Sequence, residues 1–503
     1  MTTSLHDWLP ATEGPWHLDF EQWPQAQAQR WRAVLATNAV NKRVLLAERD
    51  EDAMLLQSVE SRLNAPVGWL RASSEAVTHF LGAGEADFRA LSDVEDALTT
   101  VVDHTEELSA LALSEQASPV VRLLNATIYD ALQDTASDIH IECTARGAVI
   151  RFRVDGVMAL VRQVDGPQIA EQLVSRLKVM AELDIGERRL PQDGRFKLRV
   201  QGREIDFRLS VMPSVFGEDA VIRILDRAAI ARAGSLTLDS LGFGDEERAA
   251  IRHQARQPHG MLLVTGPTGS GKTTTLYATL AEIHTGADKI ITIEDPVEYQ
   301  LSGVVQIPVN EKKGLTFSRG LRSILRHDPD RVMVGEIRDA ETAQIAVQAA
   351  LTGHLVFSTV HANNAFDVIG RFMHMGLDLY NVVSALNAVL AQRLVRLTCK
   401  QCARPFTPEP ATLARHGVIN GNFLKGEGCG HCRGTGYKGR RAVAELLKLD
   451  DGLRDLIAAR APMSEIKAAA KARGMKSLRE MALAAVCRGD TTFEELERVT
   501  LDE

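Results

Sequence analysis

Apolar positions along this chain follow three different rhythms. Between residues 118 and 226 they alternate with polar ones in short runs, at 137–142, 148–154, 196–200, 204–211 and 220–225. Successive side chains on a strand point to opposite faces, so this alternation predicts half-buried strands. Asp155-Gly156 supplies a hairpin turn. Val120, Leu123, Leu124, Ile128 and Leu132 recur at helical spacing and predict a helix over 118–132, with a second over 169–180. The segment reads as one α+β domain.

From residue 260 the rhythm changes. Short unbroken apolar runs at 261–264, 290–293, 331–334 and 355–359 are separated by helical stretches. That is the pattern of a parallel sheet covered on both faces. Upstream, runs at 43–47 and 67–70 flank a helical repeat at 52–63, which predicts a small α/β domain. Residues 1–33 are rich in Trp, Pro and Gln and read as partly regular; 84–116 read as an acidic linker with some helix. Beyond residue 441 the composition predicts helix to the end. The expected domains are 1–115, 116–228, 229–398, 399–440 and 441–503.

Composition sharpens one of these borders. The first 115 residues hold 8 Lys+Arg against 19 Asp+Glu and all five tryptophans, and the remainder holds 50 against 47. The net charge of −8 over 503 residues gives no reason to expect nucleic-acid binding across the surface. No apolar run reaches the roughly 18 residues of a membrane span. The first residues lack a basic region followed by an apolar core, so the expected location is cytoplasmic.

The chemistry centres on residues 266–273: Gly266, Pro267, Thr268, Gly269, Ser270, Gly271, Lys272 and Thr273. This is a complete G-x-x-x-x-G-K-[ST] phosphate loop, between an apolar strand and a helix that begins near Thr274. Glycines let backbone N–H groups approach the phosphates, and the helix N-terminus faces the anion. Lys272 supplies a point charge for the β- and γ-phosphates of ATP, and the Thr273 hydroxyl suits Mg²⁺.

Two strands downstream end in acids. Glu294, Asp295 and Glu298 follow one, and Glu336 follows the other. Ligands of open α/β sheets bind at the carboxyl ends of strands, so both clusters are expected beside the phosphates. Carboxylates there hold Mg²⁺ or position and deprotonate the attacking water; capping a helix is the plainer alternative. His354 and His361 stand at the two ends of one strand, which gives poor metal geometry and suits a structural or phosphate-sensing role. Arg319, Arg322 and Arg326 share one helical face, either solvated or placed to neutralise a phosphoryl group across a subunit border.

Cys399, Cys402, Cys429 and Cys432 form C-x₂-C-x₂₆-C-x₂-C, the spacing of a four-thiolate Zn²⁺ site; a redox dithiol is the competing reading. Gly434, Gly436 and Gly439 follow and suit a tight turn. Cys143 and Cys487 are single and read as core residues.

Taken in order, these motifs resemble the secretion and type IV pilus assembly ATPase superfamily. The set includes Thr-Ile-Glu-Asp-Pro-Val-Glu at 292–298, Leu-Arg-x-x-Leu-Arg-x-Asp-Pro-Asp at 321–330, Val-Gly-Glu-Ile-Arg-Asp at 334–339 and Thr-Gly-His-x-x-x-Ser-Thr-x-His at 352–361. Upstream it includes Ala-Ser-Asp-Ile-His-Ile-Glu at 136–142, Arg-Phe-Arg-Val-Asp-Gly at 151–156 and Arg-Leu-Pro-Gln-Asp-Gly-Arg at 189–195. The likeness covers about residues 116–503 and is nearest to the type II secretion ATPases, with pilus assembly ATPases next. The four cysteines fit both and disfavour pilus retraction ATPases.

The resemblance implies a homohexameric RecA-like motor at the cytoplasmic face of the inner membrane, driving assembly of a pseudopilus or pilus. It implies Glu336 as the Mg²⁺-linked acid and Glu298 as the general base. It makes Arg208 and Arg223 the arginines that reach nucleotide from the upstream domain, and His354 and His361 the histidine box. Residues 1–115 only loosely resemble the family's partner-binding domain, which joins inner-membrane platform proteins. A nucleic-acid translocase and a non-hydrolysing scaffold are the alternative classes; balanced core charge and the intact acids speak against them.

Overall fold

A computed structural model describes residues 118–200, 203–226 and 236–500 continuously. It also describes 15–87 apart from 21, 41 and 64, with Leu5, Trp8, Leu9, Glu107 and Leu108. Most of the acidic stretch expected to be a linker lies outside the described residues. The chain divides into two compact units, Met1–Ala228 and Ala229–Glu503.

The first unit contains two sheets. Strands β1 (Trp16–Leu18), β2 (Ala33–Asn38), β3 (Arg43–Ala47) and β4 (Gly68–Arg71) lie in that order. Helices Gln25–Trp31, Ala53–Leu63 and Ser74–Asp87 accompany them. Among the described residues of the tryptophan-rich opening, indoles build part of this core. Trp16 and Trp23 are buried, and Trp23 Nε1 donates to Ala33 O at 3.1 Å.

The second sheet runs β5-β9-β10-β11-β6-β7-β8. Its strands are β5 (Glu107–Leu108), β6 (Asp138–Thr144), β7 (Gly147–Val154), β8 (Val157–Asp165), β9 (Gln192–Val200), β10 (Arg203–Ser214) and β11 (Gly217–Leu225). Alternation places Ile139, Ile141, Ile150, Phe152, Phe207 and Ile222 in one core with helices Pro119–Gln133 and Pro167–Met180. Ser118 caps the first helix by accepting from Val121 N at 3.3 Å. The opposite face carries charge. Arg195, Arg208, Arg223, Asp138 and Arg153 stand directly across from one another on five neighbouring strands.

The second unit is built on β12 (Gly260–Thr265), β13 (Ile290–Glu294), β14 (Val305–Pro308), β15 (Arg331–Val334), β16 (Leu355–Val360) and β17 (Leu386–Thr398). Small strands β18 (Ala403–Pro405) and β19 (Leu424–Gly426) pair separately, and β20 (Tyr437–Lys448) returns to the main sheet. Its order is β14-β13-β15-β16-β12-β17-β20, parallel except for the β17–β20 pair. Both faces are covered. Met261 and Leu263 enter one core, and Leu262 and Val264 enter the other.

The expectation of helix beyond residue 441 fails over its first residues. Residues 442–448 (Ala-Val-Ala-Glu-Leu-Leu-Lys) are good helix formers, yet they lie in β20. Pairing along β17 and burial of Ala442, Val443, Ala444 and Leu447 override local propensity. The helical tail begins at Asp451 and continues as Asp451–Ala458, Met463–Ala472, Leu478–Cys487 and Phe493–Val499. No helix among the described residues is long and apolar enough to cross a membrane.

Candidate functional site

The phosphate loop closes between β12 and helix Lys272–Ile283. Gly266, Gly269 and Gly271 adopt φ of 147°, 78° and 84°, backbone that only glycine takes readily. Lys272 is buried, and its Nζ donates to Gly266 O at 2.9 Å and Pro267 O at 3.1 Å. Burial lowers its pKa, Glu336 opposes that shift and Arg393 adds to it. Ser270 Oγ is buried and has no hydrogen-bond partner among the described residues. Thr273 is exposed at the mouth of the loop.

Parallel strands bring the second acid to the same edge. Gly335 N donates to Ile293 O at 2.8 Å, so β15 ends level with β13. Glu336 pairs with Arg338 and lies 3.5 Å from His361 Nε2. Arg338 also approaches Asp295 at 3.9 Å. His361 has its pKa lowered, first by burial and next by Lys272, with Glu336 opposing. Lys272, Glu336 and His361 therefore feel one another's charge. Thr265 Oγ1 fixes the segment carrying His361 by donating to Val360 O at 2.8 Å and accepting from Ala362 N at 2.9 Å.

Not every expected residue joins this cluster. Glu294 is buried, and its carboxylate accepts from Tyr277, Thr292 and Gln306. It is enclosed rather than turned toward the loop's mouth. Its link to the site is Tyr277 Oη, which also accepts from Glu298 N at 3.2 Å. The backbone entering Glu298 is thereby fixed from the phosphate-loop helix. The peptide between Asp295 and Pro296 is cis.

His354 is not brought to the loop. Leu355 pairs with Gly260 and Val360 with Thr265, so His354 lies at the amino end of β16. About 20 Å of strand separates it from the phosphate edge, and its Nδ1 lies 3.1 Å from Ala349 O.

The arginine face is also shorter than its spacing suggests. Helix Phe317–Ile324 ends before Arg326, whose Nη1 donates to Arg322 O at 2.8 Å. Arg322 pairs with Glu341 at 2.7 Å, and Arg319 Nη1 donates to Gly314 O at 3.2 Å. In the first unit, Arg208 and Arg223 are cross-strand neighbours, and Arg223 Nε donates to Asp138 Oδ1 at 2.9 Å.

The four cysteines converge. Their sulfurs all lie within 4.8 Å of one another, with closest pairs at 3.7–3.9 Å. Tetrahedral Zn²⁺ with bonds of about 2.3 Å sets thiolates about 3.8 Å apart. Backbone N–H groups of Gly428, Cys429 and Gly436 donate to Cys402 and Cys432 sulfurs at 3.2–3.3 Å, as suits thiolate charge. A Cβ at Gly426 would strike Gly436 O and one at Gly436 would strike Gly426 O, which accounts for glycine at these two facing positions.

Sequence reading missed Gln392. It is buried on β17, donates to Ser270 O at 2.7 Å and accepts from Thr275 Oγ1 at 2.8 Å. It also missed Glu445 of β20, a buried carboxylate accepting from Ala365 N at 2.7 Å and Leu478 N at 3.1 Å. A polar residue directly after a short apolar run, 388–391 before Gln392 and 442–444 before Glu445, is the local signal for either.

Comparison with known proteins agrees with this architecture. A family model described as "Type II/IV secretion system protein" matches residues 113–498. The chain is 47% identical over 411 residues to the type II secretion system protein E of Pseudomonas aeruginosa, covering 81% of this chain and 80% of that one. It is 44% identical over 440 residues to the type II secretion system ATPase E of Vibrio cholerae, covering 86% and 83%. Among solved structures, the pilus retraction motor PilT with bound ADP aligns with a TM-score of 0.50 at 26% identity, covering 75% of this chain and 96% of that one. The chain belongs to the type II/IV secretion system protein family.

Proposed function

We propose that this chain is the ATPase of a type II secretion system, hydrolysing ATP to power pseudopilus assembly and protein export. The observation that carries the reading is the open phosphate loop with Lys272, Glu336 and His361 gathered at one sheet edge. It is supported by likeness over most of the chain to proteins named type II secretion system protein E, one of them named type II secretion system ATPase E.

In this reading the backbone N–H groups of 268–273 and Lys272 hold the phosphates, with Gly266, Pro267, Thr268 and Thr274 lining the loop. Thr273 and Glu336 would hold Mg²⁺, which when bound would supply positive charge against that developing on the phosphates. Glu298 orients and deprotonates the attacking water, helped by the Tyr277 anchor beneath it. His361 senses the γ-phosphate. Arg208 and Arg223 bring positive charge from the first unit, and hydrolysis releases them, so nucleotide state drives domain rotation. Cys399, Cys402, Cys429 and Cys432 hold a structural Zn²⁺ that supplies no chemistry.

The working form is a homohexamer, with Arg319, Arg322 and Arg326 available at subunit borders. Residues 1–115 dock it to platform proteins at the cytoplasmic face of the inner membrane, and no nucleic acid takes part. The test is genetic complementation of a strain lacking its type II secretion ATPase and carrying this chain's platform proteins. The chain is expected to restore export, and Lys272→Ala is not. Restored piliation without export would instead favour a pilus assembly ATPase.

A further inference from the structure

Gln392 occupies an unusual place for an amide. It follows Ala391, which pairs with Thr265 at the last position where β17 and β12 run together. There it is 1% exposed, directly behind the phosphate loop. Its two ends bind different parts of the site. Nε2 donates to Ser270 O, within the loop, at 2.7 Å. Oε1 accepts from Thr275 Oγ1, in the helix that follows, at 2.8 Å. One carboxamide thus sets the angle between loop and helix. It has a single workable orientation, because a flipped amide would turn Oε1 onto a carbonyl oxygen.

The fit leaves no slack. A Cβ at Gly266 would come within 2.5 Å of Gln392 O, and one at Gly271 within 2.9 Å of its Nε2. Arg393 extends the brace. Its Nη1 donates to Gln392 O at 3.1 Å and its Nη2 to Asn363 O at 2.8 Å, two residues beyond His361.

We infer that Gln392 is a positioning residue for nucleotide binding. It holds the loop's N–H groups in their phosphate-binding arrangement before nucleotide arrives. Without it, part of the binding free energy goes into ordering the loop. The loss therefore falls on affinity, while the step at saturating nucleotide is spared. The inference rests on the nucleotide reading above.

The test uses the full chain and a fluorescent ADP analogue. Gln392→Met keeps the shape and removes both bonds. Gln392→Glu keeps the acceptor for Thr275 and turns a carboxylate oxygen onto Ser270 O. Thr275→Ser keeps the hydroxyl. ADP affinity is expected to fall about tenfold or more in the Met and Glu variants, the scale of losing buried hydrogen bonds. It is expected to stay at the wild-type value in Thr275→Ser. KM for ATP should rise in step, with kcat within about twofold. Circular dichroism and zinc content should not move.

Wild-type ADP affinity in Gln392→Met, alongside lost binding in Lys272→Ala, would overturn the role of Gln392. Undiminished binding in Lys272→Ala would overturn the nucleotide reading itself. If Gln392→Met does not fold, Gln392→Met/Thr275→Val removes the stranded hydroxyl as well. The same affinity loss is expected there, and wild-type affinity would overturn the inference.

Discussion

Lys272 Nζ donates to the carbonyl oxygen of Gly266 at 2.9 Å, so the loop's cation is folded back onto the loop's own backbone. An arriving phosphate replaces a weak carbonyl partner with a full negative charge. Burial holds the lysine's pKa down in the free chain, and an anion raises it. Binding therefore takes up protons, and affinity falls as pH rises through the free-state value. Calorimetric titration of the wild-type chain at alkaline pH, in buffers of different ionisation enthalpy, should show proton uptake on binding, and a heat that does not depend on the buffer would contradict it.

His361 gives a second pH signature, of acid sensitivity. Its folded pKa lies below the ordinary 6.5, first because of burial and next because of Lys272. The unfolded chain therefore binds more protons between the folded value and 6.5. Stability is complete above that window and is lost as pH falls through it. His361→Asn should flatten the dependence of Tm on pH just below 6.5. An unchanged slope would remove His361 from the charge cluster.

Glu445 predicts a stability effect away from the chemistry. It is 5% exposed and caps two helices at once, Ala365–His374 and Leu478–Cys487. Glu445→Ala leaves two buried N–H groups unpaired, at a cost of about 2–4 kcal/mol. Glu445→Gln keeps an acceptor for one of them and should cost less. Urea denaturation of both variants checks the order.

The cysteine knuckle predicts tightly bound metal. Elemental analysis of the purified chain should find one zinc per chain, and Cys402→Ser should lose it. Metal binding is folding free energy in such sites, so that variant should unfold at lower temperature. Full zinc occupancy in the serine variant would contradict a four-thiolate site.

What could be read from the sequence follows how local each feature is. The phosphate loop is contiguous, and its strand, turn and helix are each set by neighbouring residues, so residues 266–273 were legible. The cysteines were legible because the spacing of each pair is itself local. Gln392 and Ser270 are 122 residues apart, and their contact exists only because β17 lies beside β12. Strand order is set by the packing of the whole sheet, which no short window encodes. Residues 442–448 read as helix because Ala, Glu, Leu and Lys favour it, and pairing with β17 makes them a strand instead. Strand direction was available for His354: the rule that places Glu336 at the carboxyl edge also places His354 at the other edge.

The positions of Glu298 and Tyr277 predict a division of labour. Glu298→Gln should bind ADP normally and lose turnover by about 10²-fold or more, as expected when a general base is removed. Tyr277→Phe leaves Glu298 N and the buried Glu294 short of a partner. It should lower kcat more than it raises KM for ATP. Steady-state kinetics separates the two.

If the cluster around Lys272 is a catalytic ATP site, turnover depends on its residues. Phosphate release from Mg²⁺-ATP by the concentrated full chain, compared with Lys272→Ala and Glu336→Gln, tests it most directly. Steady turnover is expected of the wild type, no nucleotide binding of Lys272→Ala, and binding with little turnover of Glu336→Gln. Undiminished phosphate release by Lys272→Ala would contradict it.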